Sequence, residues 1–322
     1  MVARFRKKLG SRRLVRGAAR RSAGRGDPSG ACNLRKGPRP RGDPMIDLHC
    51  HSTYSDGSLT PEQLVAEAVK IGLTALALTD HDTTAGVPRF LAAAAGTTVR
   101  AVPGVELSVD CSSGVMHMLG YWMDLENPEL LRQMEWIRDG RAMRNRAMLE
   151  KLNALGFAMA WEEVAAFAGE DVVGRPHFAQ VMLQKGYAKD KNEAFDKWLG
   201  DGKPGYADRP RLTAEVAVAL IRQAGGVAVL AHPFTLRVGK EAMLALFVEL
   251  AGVGLGGVEC YYSEHSADLI QDYLAMAQKA NLVPTGGSDY HGEVSPGIKL
   301  GVGFGGLNVP DEALAALEAR RG

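Results

Sequence analysis

The sequence predicts an α/β barrel carrying an inserted helical subdomain, and three observations lead there. After Met45, seven short apolar runs alternate with amphipathic helical patterns. About eighty residues in the middle of the chain break that alternation, and histidines and acids gather at the ends of the runs. The strand candidates are residues 46–50, 75–79, 99–107, 115–121, 227–231, 257–261 and 283–287.

The first run starts directly at Met45-Ile46-Asp47-Leu48, with the pattern of a buried strand. A helix over 61–71 follows, with Thr60 as N-cap and Pro61 in the first helical position, where its missing N–H costs nothing. Further helical stretches at 87–95, 213–224, 240–251 and 267–280 lie between strand candidates. Strands alternating with helices imply a mainly parallel sheet with crossover helices, and about seven strands suit a barrel better than an open sheet. In such a barrel, chemistry collects at the carboxyl ends of the strands. Residues 127–209 show only helical periodicity, rich in Met, Trp, Ala and Arg, and are too long for a loop within a compact domain. They are expected to form an inserted helical lid over the mouth of a barrel made from 45–126 and 210–322.

The chain has 322 residues, 46% hydrophobic and 23% charged, which is ordinary globular composition. Its longest apolar runs, such as 225–231, fall far short of the roughly 18–20 residues a membrane span needs. The four cysteines form no CxxC pair, which excludes a disulfide framework or a cysteine-only zinc site and makes the cytoplasm the expected compartment. The net charge of +1 hides a split: residues 1–44 hold 14 Lys/Arg against 2 Asp/Glu, leaving the remainder at −11. That first segment is basic, rich in Gly, Pro and Ser, and without apolar periodicity, so it reads as a disordered extension. A nucleic-acid-binding arm and a transit peptide are two readings of it. The expected one is that Met45 is the true start and the stretch before it is upstream sequence.

His49 and His51 flank Cys50 at the end of the first run; residues two apart on a strand face the same way, so both imidazoles can reach one metal while Cys50 turns into the wall. Asp56 follows in a Ser-Asp-Gly turn able to swing its carboxylate back over the strand end. The second run ends in Thr79-Asp80-His81-Asp82, the third carries Glu106, the fourth His117, the fifth ends at His232, and the seventh runs into Asp289 and His291. Six histidines and three acids therefore converge at strand ends or exit turns. Such a set suits zinc, manganese or iron and exceeds what one ion takes, so two or three ions with a bridging carboxylate are expected.

Asp47-Leu48-His49-Cys50-His51-Ser52-Thr53-Tyr54-Ser55-Asp56-Gly57, together with Leu78-Thr79-Asp80-His81-Asp82, resembles the opening of the PHP (polymerase and histidinol phosphatase) superfamily. The resemblance implies a distorted seven-stranded (β/α)7 barrel with a trinuclear metal centre, usually manganese. The insertion, Gly174-Arg175-Pro176-His177 and Ala231-His232-Pro233 resemble, more narrowly, its bacterial 3′,5′-nucleotide bisphosphatases and 5′-to-3′ exoribonucleases. It further implies that His49, His51, Glu106 and Asp289 hold one ion, that Glu106 bridges to a second held by His117 and His232, and that Asp56, His81 and His291 hold the third.

Phosphate esters repel an attacking hydroxide, and paired divalent ions lower the pKa of a shared water and neutralise the phosphoryl oxygens. A metal-bridging hydroxide held by Glu106, Asp289 and His232 is the expected nucleophile. On the insertion, Arg141, Arg144, Asn145 and Met148 share a helix face by spacing. Arginine suits planar, bidentate grip on phosphate. The resemblance marks Arg144, Asn145, Arg175 and His177 as substrate contacts; Asp82 is either another or a group orienting an imidazole. His265 is given structural and substrate-lining roles equally. Met123, Met134, Trp136, Met143, Met148, Trp161 and Trp198 are expected in the core, and the glycines of 301–306 form a turn, because no phosphate-loop Lys-Ser/Thr follows them.

The function expected is hydrolysis of the 3′-phosphate of nucleoside 3′,5′-bisphosphates, extending to 5′-to-3′ trimming of short 5′-phosphorylated RNA. A histidinol-phosphate phosphatase and a non-catalytic metal-stabilised module of a larger complex are the alternatives. Nucleotide or short RNA is the expected partner, with no membrane and no obligate protein partner.

Overall fold

The computed structural model describes residues 45–168 and 173–321, so the basic segment 1–44 lies outside the described residues. The strands are β1 (Ile46–Asp47), β2 (Ala75–Leu78), β3 (Arg100–Val109), β4 (Met116–Tyr121), β5 (Val227–Leu230), β6 (Gly257–Tyr262) and β7 (Val283–Gly287). They form a seven-stranded sheet in chain order, β1 to β7. Beyond β7 the chain returns to β1 through a parallel bridge between Cys50 and Tyr290, so the sheet curls into a nearly closed barrel.

Alternation along the strands fills both sides of this wall. In β2, Ala75 and Ala77 point into the barrel with Leu119, Tyr121, Val227 and Val229. Leu76 and Leu78 point outward against Leu64, Val65 and Phe90. The last three belong to the helices α1 (Pro61–Ile71) and α2 (Val87–Ala94). Burial on both faces is why these strands read as continuous apolar runs. Thr60 caps α1 as expected, its side chain accepting from the Gln63 N–H while Gln63 reaches back to the Thr60 N–H.

The sheet departs from the parallel expectation at one strand. β4 is antiparallel to both β3 and β5, whereas β1–β2, β2–β3, β5–β6 and β6–β7 pair in parallel. The six residues between β3 and β4 are too few for a crossover, which takes a dozen or more, and make a hairpin instead. β1 is also shorter than expected, because the chain from Leu48 onward pairs with the exit of β7: Leu48 N–H donates to Gly286 O at 3.3 Å and His51 N–H to Tyr290 O at 2.9 Å.

Between β4 and β5 run α3 (Pro128–Ala154), α4 (Trp161–Ala165), α5 (Arg175–Gln184), α6 (Lys191–Ala194) and a π-helical turn, Phe195–Leu199. The first half of α3 packs Leu130, Met134 and Ile137 onto the outer barrel core. Its second half joins a separate core with Met148, Leu152, Phe178 and Leu199. Met123, Met134 and Met148 are buried as expected, but Trp136, Met143 and Trp161 are exposed, because the outward side of these helices has no neighbour among the described residues. α7 (Ala214–Gln223), α8 (Lys240–Gly252), α9 (Ala267–Lys279) and α10 (Glu312–Glu318) complete the outer layer. No helix among the described residues is long and apolar enough to cross a membrane.

Candidate metal centre and anion cavity

All nine strand-end histidines and acids meet at one end of the barrel. His117 reaches them by a different route from the rest. It is the second residue of β4, and because β4 runs backwards, its start lies level with the carboxyl ends of the parallel strands.

Glu106 is the hub. Its Oε2 lies 3.3 Å from His49 Nε2, 3.2 Å from His51 Nε2 and 3.0 Å from His81 Nδ1. Its Oε1 lies 2.7 Å from His117 Nδ1 and 3.0 Å from His232 Nε2. Asp289 Oδ1 is 3.3 Å from His49 Nε2 and 3.1 Å from His51 Nε2, while Asp289 Oδ2 accepts from the Tyr262 hydroxyl at 2.8 Å. Asp56 Oδ1 is 3.2 Å from His291 Nε2, and Asp56 Oδ2 is 3.9 Å from His81 Nε2. Cys50 faces away, wholly buried, its thiol donating to Ala77 O at 3.1 Å.

Three sets of donor atoms fall within 4.8 Å of one another: His49, His51, Glu106 and Asp289; His51, Asp56, His81 and His291; and His81, Glu106 and His117. These groups fit divalent cations better than they fit each other. His49 Nε2 and His51 Nε2 stand 3.2 Å apart, an approach that leaves room for at most one proton between them. Asp56 Oδ1, His81 Nδ1 and Glu106 Oε2 are buried without a well-directed hydrogen bond among the described residues, although imidazole nitrogens surround them. Nitrogen and carboxylate oxygen in this mixture suit zinc, manganese or iron. Burial opposes ionisation of Glu106, Asp56 and Asp289, but the surrounding imidazoles override it and hold all three well below the usual carboxylate range.

Three residues at this end occupy the left-handed backbone region that disfavours side chains: Asp82 at φ 54°, His232 at φ 23° and Asp289 at φ 55°. Each is held there by its own N–H. Asp82 donates to Glu106 O at 2.9 Å, Asp289 to His49 O at 2.9 Å, and His232 to the Glu259 carboxylate at 2.8 Å. Two further buried acids brace the strand ends: Asp47 accepts from the Ser288 N–H and hydroxyl, and Asp80 from the Ser52 N–H and hydroxyl.

Beside the cluster opens a cavity of about 200 Å³ lined by Asp56, His81 and His117 on one side and by Arg141, Arg144, Arg175, Arg209 and Arg211 on the other. Asp82 is wholly buried behind it. Its carboxylate accepts from Arg141 Nε at 2.6 Å, Arg209 Nη2 at 3.3 Å and the Ser108 N–H at 2.7 Å, so it meets guanidiniums rather than an imidazole. Arg175 pairs with Asp201 at 2.8 Å and packs near the rings of Phe195 and Tyr206. Arg144 is different: among the described residues no carboxylate pairs with it, and its Nη2 is buried without a partner. Burial first, then the neighbouring Arg141, Arg209, Arg175 and Arg211, disfavour its charged form. Desolvated like charges of this density fit an anion.

Asn145 and His177 stand behind the cavity wall. Asn145 accepts from Arg144 Nε at 3.0 Å and donates to Val173 O, fixing the guanidinium. His177 Nδ1 accepts from the Gly174 N–H at 3.0 Å, which sets the turn that carries Arg175. His265 is packed among the rings of Phe234, Tyr262 and Tyr273, away from the cavity. Arg209, Arg211, Tyr262 and Glu259 were not singled out by the sequence. Arg209-Pro210-Arg211 offered a signal, two arginines at strand spacing where the insertion rejoins the barrel.

The PHP domain family matches residues 47–192. A 3′,5′-nucleoside bisphosphate phosphatase of Chromobacterium violaceum is 35% identical over 257 residues, covering 80% of this chain and 90% of the relative. A 5′-3′ exoribonuclease Rnm of Salmonella typhimurium is 34% identical over 259 residues, covering 80% and 88%. Among solved structures, a candidate metal-dependent phosphoesterase of Bifidobacterium adolescentis superposes with a TM-score of 0.76 at 29% identity, covering 85% of this chain and 96% of that one.

Proposed function

This chain belongs to the PHP domain family and is a metal-dependent phosphoesterase; we propose that it removes the 3′-phosphate of nucleoside 3′,5′-bisphosphates and trims short 5′-phosphorylated RNA from its 5′ end. The observation that carries this reading is the contiguity of the two halves of the site: one small cavity is lined by cluster residues on one wall and by five arginines on the other. A bisphosphate presents two anionic groups separated by a ribose, and both reactions cleave the ester at O3′ of a 5′-phosphorylated nucleoside.

In this reading the nine clustered side chains hold two or three divalent ions, with Mn2+ first and Zn2+ or Fe2+ as alternatives. Such ions, when bound, supply the acidity that deprotonates water near neutral pH and the charge that offsets the phosphoryl oxygens. Glu106 and Asp289, each facing several imidazoles, fix the spacing of the donor sets. Tyr262 donates to Asp289 Oδ2 and so leaves Oδ1 turned toward His49 and His51. Arg144 and Arg175 grip the 5′-phosphate; Asn145 and His177 hold them in place, and Asp82 anchors Arg141 and Arg209 beside them. Residues 127–209 serve as the lid, excluding water and contributing the arginines on α3 and α5. The compartment is the cytoplasm.

Purified protein with Mn2+ is expected to release phosphate from adenosine 3′,5′-bisphosphate but not from 5′-AMP. Equal turnover of generic phosphomonoesters, or of histidinol phosphate, contradicts this specificity.

A further inference from the structure

We propose that Glu259, in the middle of β6, is a positioning residue that sets the proton of one metal-facing histidine and the backbone of another. Its neighbours Val258 and Cys260 point into the outer core, so alternation turns Glu259 to the barrel side, where it is wholly buried. A carboxylate in that position is costly unless fully partnered. Its partners are both members of the cluster: His49 Nδ1 lies 3.1 Å from Oε1 and 3.2 Å from Oε2, and Oε2 accepts the His232 N–H at 2.8 Å. Glu259 itself belongs to none of the three donor sets.

An ionised carboxylate only accepts hydrogen bonds. His49 Nδ1 therefore carries the proton, and the Nε2 lone pair is left facing Glu106 and Asp289, which is the tautomer a cation requires. The same carboxylate holds His232 at φ 23° and ψ 66°, directly before Pro233, a backbone state that a residue preceding proline does not adopt unaided. One buried side chain thus ties together residues 49 and 232, which the sequence separates by most of the barrel.

The inference rests on the cluster being a metal centre, and the discriminating substitution is Glu259→Gln. The amide oxygen can still accept from His232, but its NH2 group then stands against His49 Nδ1 at 3.1 Å, which opposes a proton there and favours the tautomer with the proton on Nε2, where the cation belongs. Chelator-stripped protein titrated with Mn2+ is expected to show a 10–100-fold weaker affinity in the variant. Activity should recover to within about threefold at saturating Mn2+. In a His49→Ala background, Glu259→Gln is expected to add less than a threefold further loss of affinity. Unchanged affinity in the variant, or a loss that is fully additive with His49→Ala, overturns the proposal. A measurement needing no variant is ¹⁵N NMR of the Zn2+-loaded wild-type protein: His49 protonated at Nδ1 supports the assignment, and protonation at Nε2 overturns it. Because wild-type cation binding is read without substrate, its absence would refute the metal centre itself, whereas equal binding by wild type and variant would refute only the role of Glu259.

Discussion

The guanidinium of Arg141, on the inserted helix α3, grips the carboxylate of Asp82, at the exit of β2, at 2.5 Å. The pair is buried, with Arg141 lining the cavity and Asp82 one residue from His81 of the cluster, so it couples the insertion to the barrel at the site itself. Asp82→Asn leaves Arg141 and Arg209 without their counter-charge, and breaking a buried pair from one side costs about 3 kcal/mol. The variant is expected to unfold at lower temperature than wild type. Sulfate or phosphate should recover more of that loss than it adds to wild type, because the cavity has gained net positive charge. Thermal melts with and without sulfate check this; an unchanged midpoint with an equal sulfate response contradicts it.

Arg144→Met tests the reading of the cavity as an anion site. Arg144 is buried among four other guanidiniums, and no carboxylate pairs with it among the described residues. Removing it relieves repulsion, so the free protein should be as stable as wild type or more so, as at other sites strained for function. The 5′-phosphate loses a charge-assisted hydrogen bond of about 1.5–3 kcal/mol, roughly tenfold to 150-fold in KM. Steady-state kinetics on adenosine 3′,5′-bisphosphate, beside unfolding curves, separate this from a structural role, which would lower stability and spare KM.

The metal-free protein should lose stability as pH rises. Burial opposes the charged form of His51, but Asp289 and Glu106 override it and raise its pKa from 6.5 to about 10. His232 is raised as well, against burial, by its carboxylate neighbours, Glu106 first. Between pH 6.5 and 10 the folded chain then holds protons that the unfolded chain has released, so this stabilisation is complete below 6.5 and is lost on the way to 10. The depressed carboxylates Asp56, Glu106 and Asp289 contribute throughout that window and fade only in acid. Cations replace the protons, so binding at pH 7–8 should release them. Melting curves of chelator-stripped protein across pH 6–10, and calorimetry in buffers of different ionisation enthalpy, read both effects. A flat stability profile with no proton release contradicts the account.

Tyr262→Phe removes the hydroxyl that donates to Asp289 Oδ2. The bond is to a charged acceptor, so its loss is worth about 1.5–3 kcal/mol. The expected result is weaker Mn2+ binding and slower turnover at limiting metal, seen by titrating activity against Mn2+. An unaltered titration contradicts the role given to this residue.

Much of this site was legible in the sequence, because histidine is scarce in the chain and each relevant one except His117 sits where a strand pattern stops. The direction of β4 was not: His117 lies within its run, and only the short 110–115 connection shows that the strand turns back. Arg209 and Arg211 escaped because a coil segment has no periodicity to set a face. Glu259 escaped because it looks like the polar half of an ordinary alternation; only the closed barrel shows that its side is buried. Asp82 was noticed for its neighbour His81, yet its partners Arg141 and Arg209 are 59 and 127 residues away. Such pairings are decided by how the insertion docks, which spacing along the chain does not encode.

Metal content per chain is the most direct test of the account, measured after chelator-stripped protein is dialysed against Mn2+ and passed through a desalting column. The account predicts two or three ions per wild-type chain, with at least one lost and phosphatase activity abolished in Asp289→Asn. Wild-type protein that retains no ion, or an Asp289→Asn variant with full metal content and unchanged phosphate release, would contradict it.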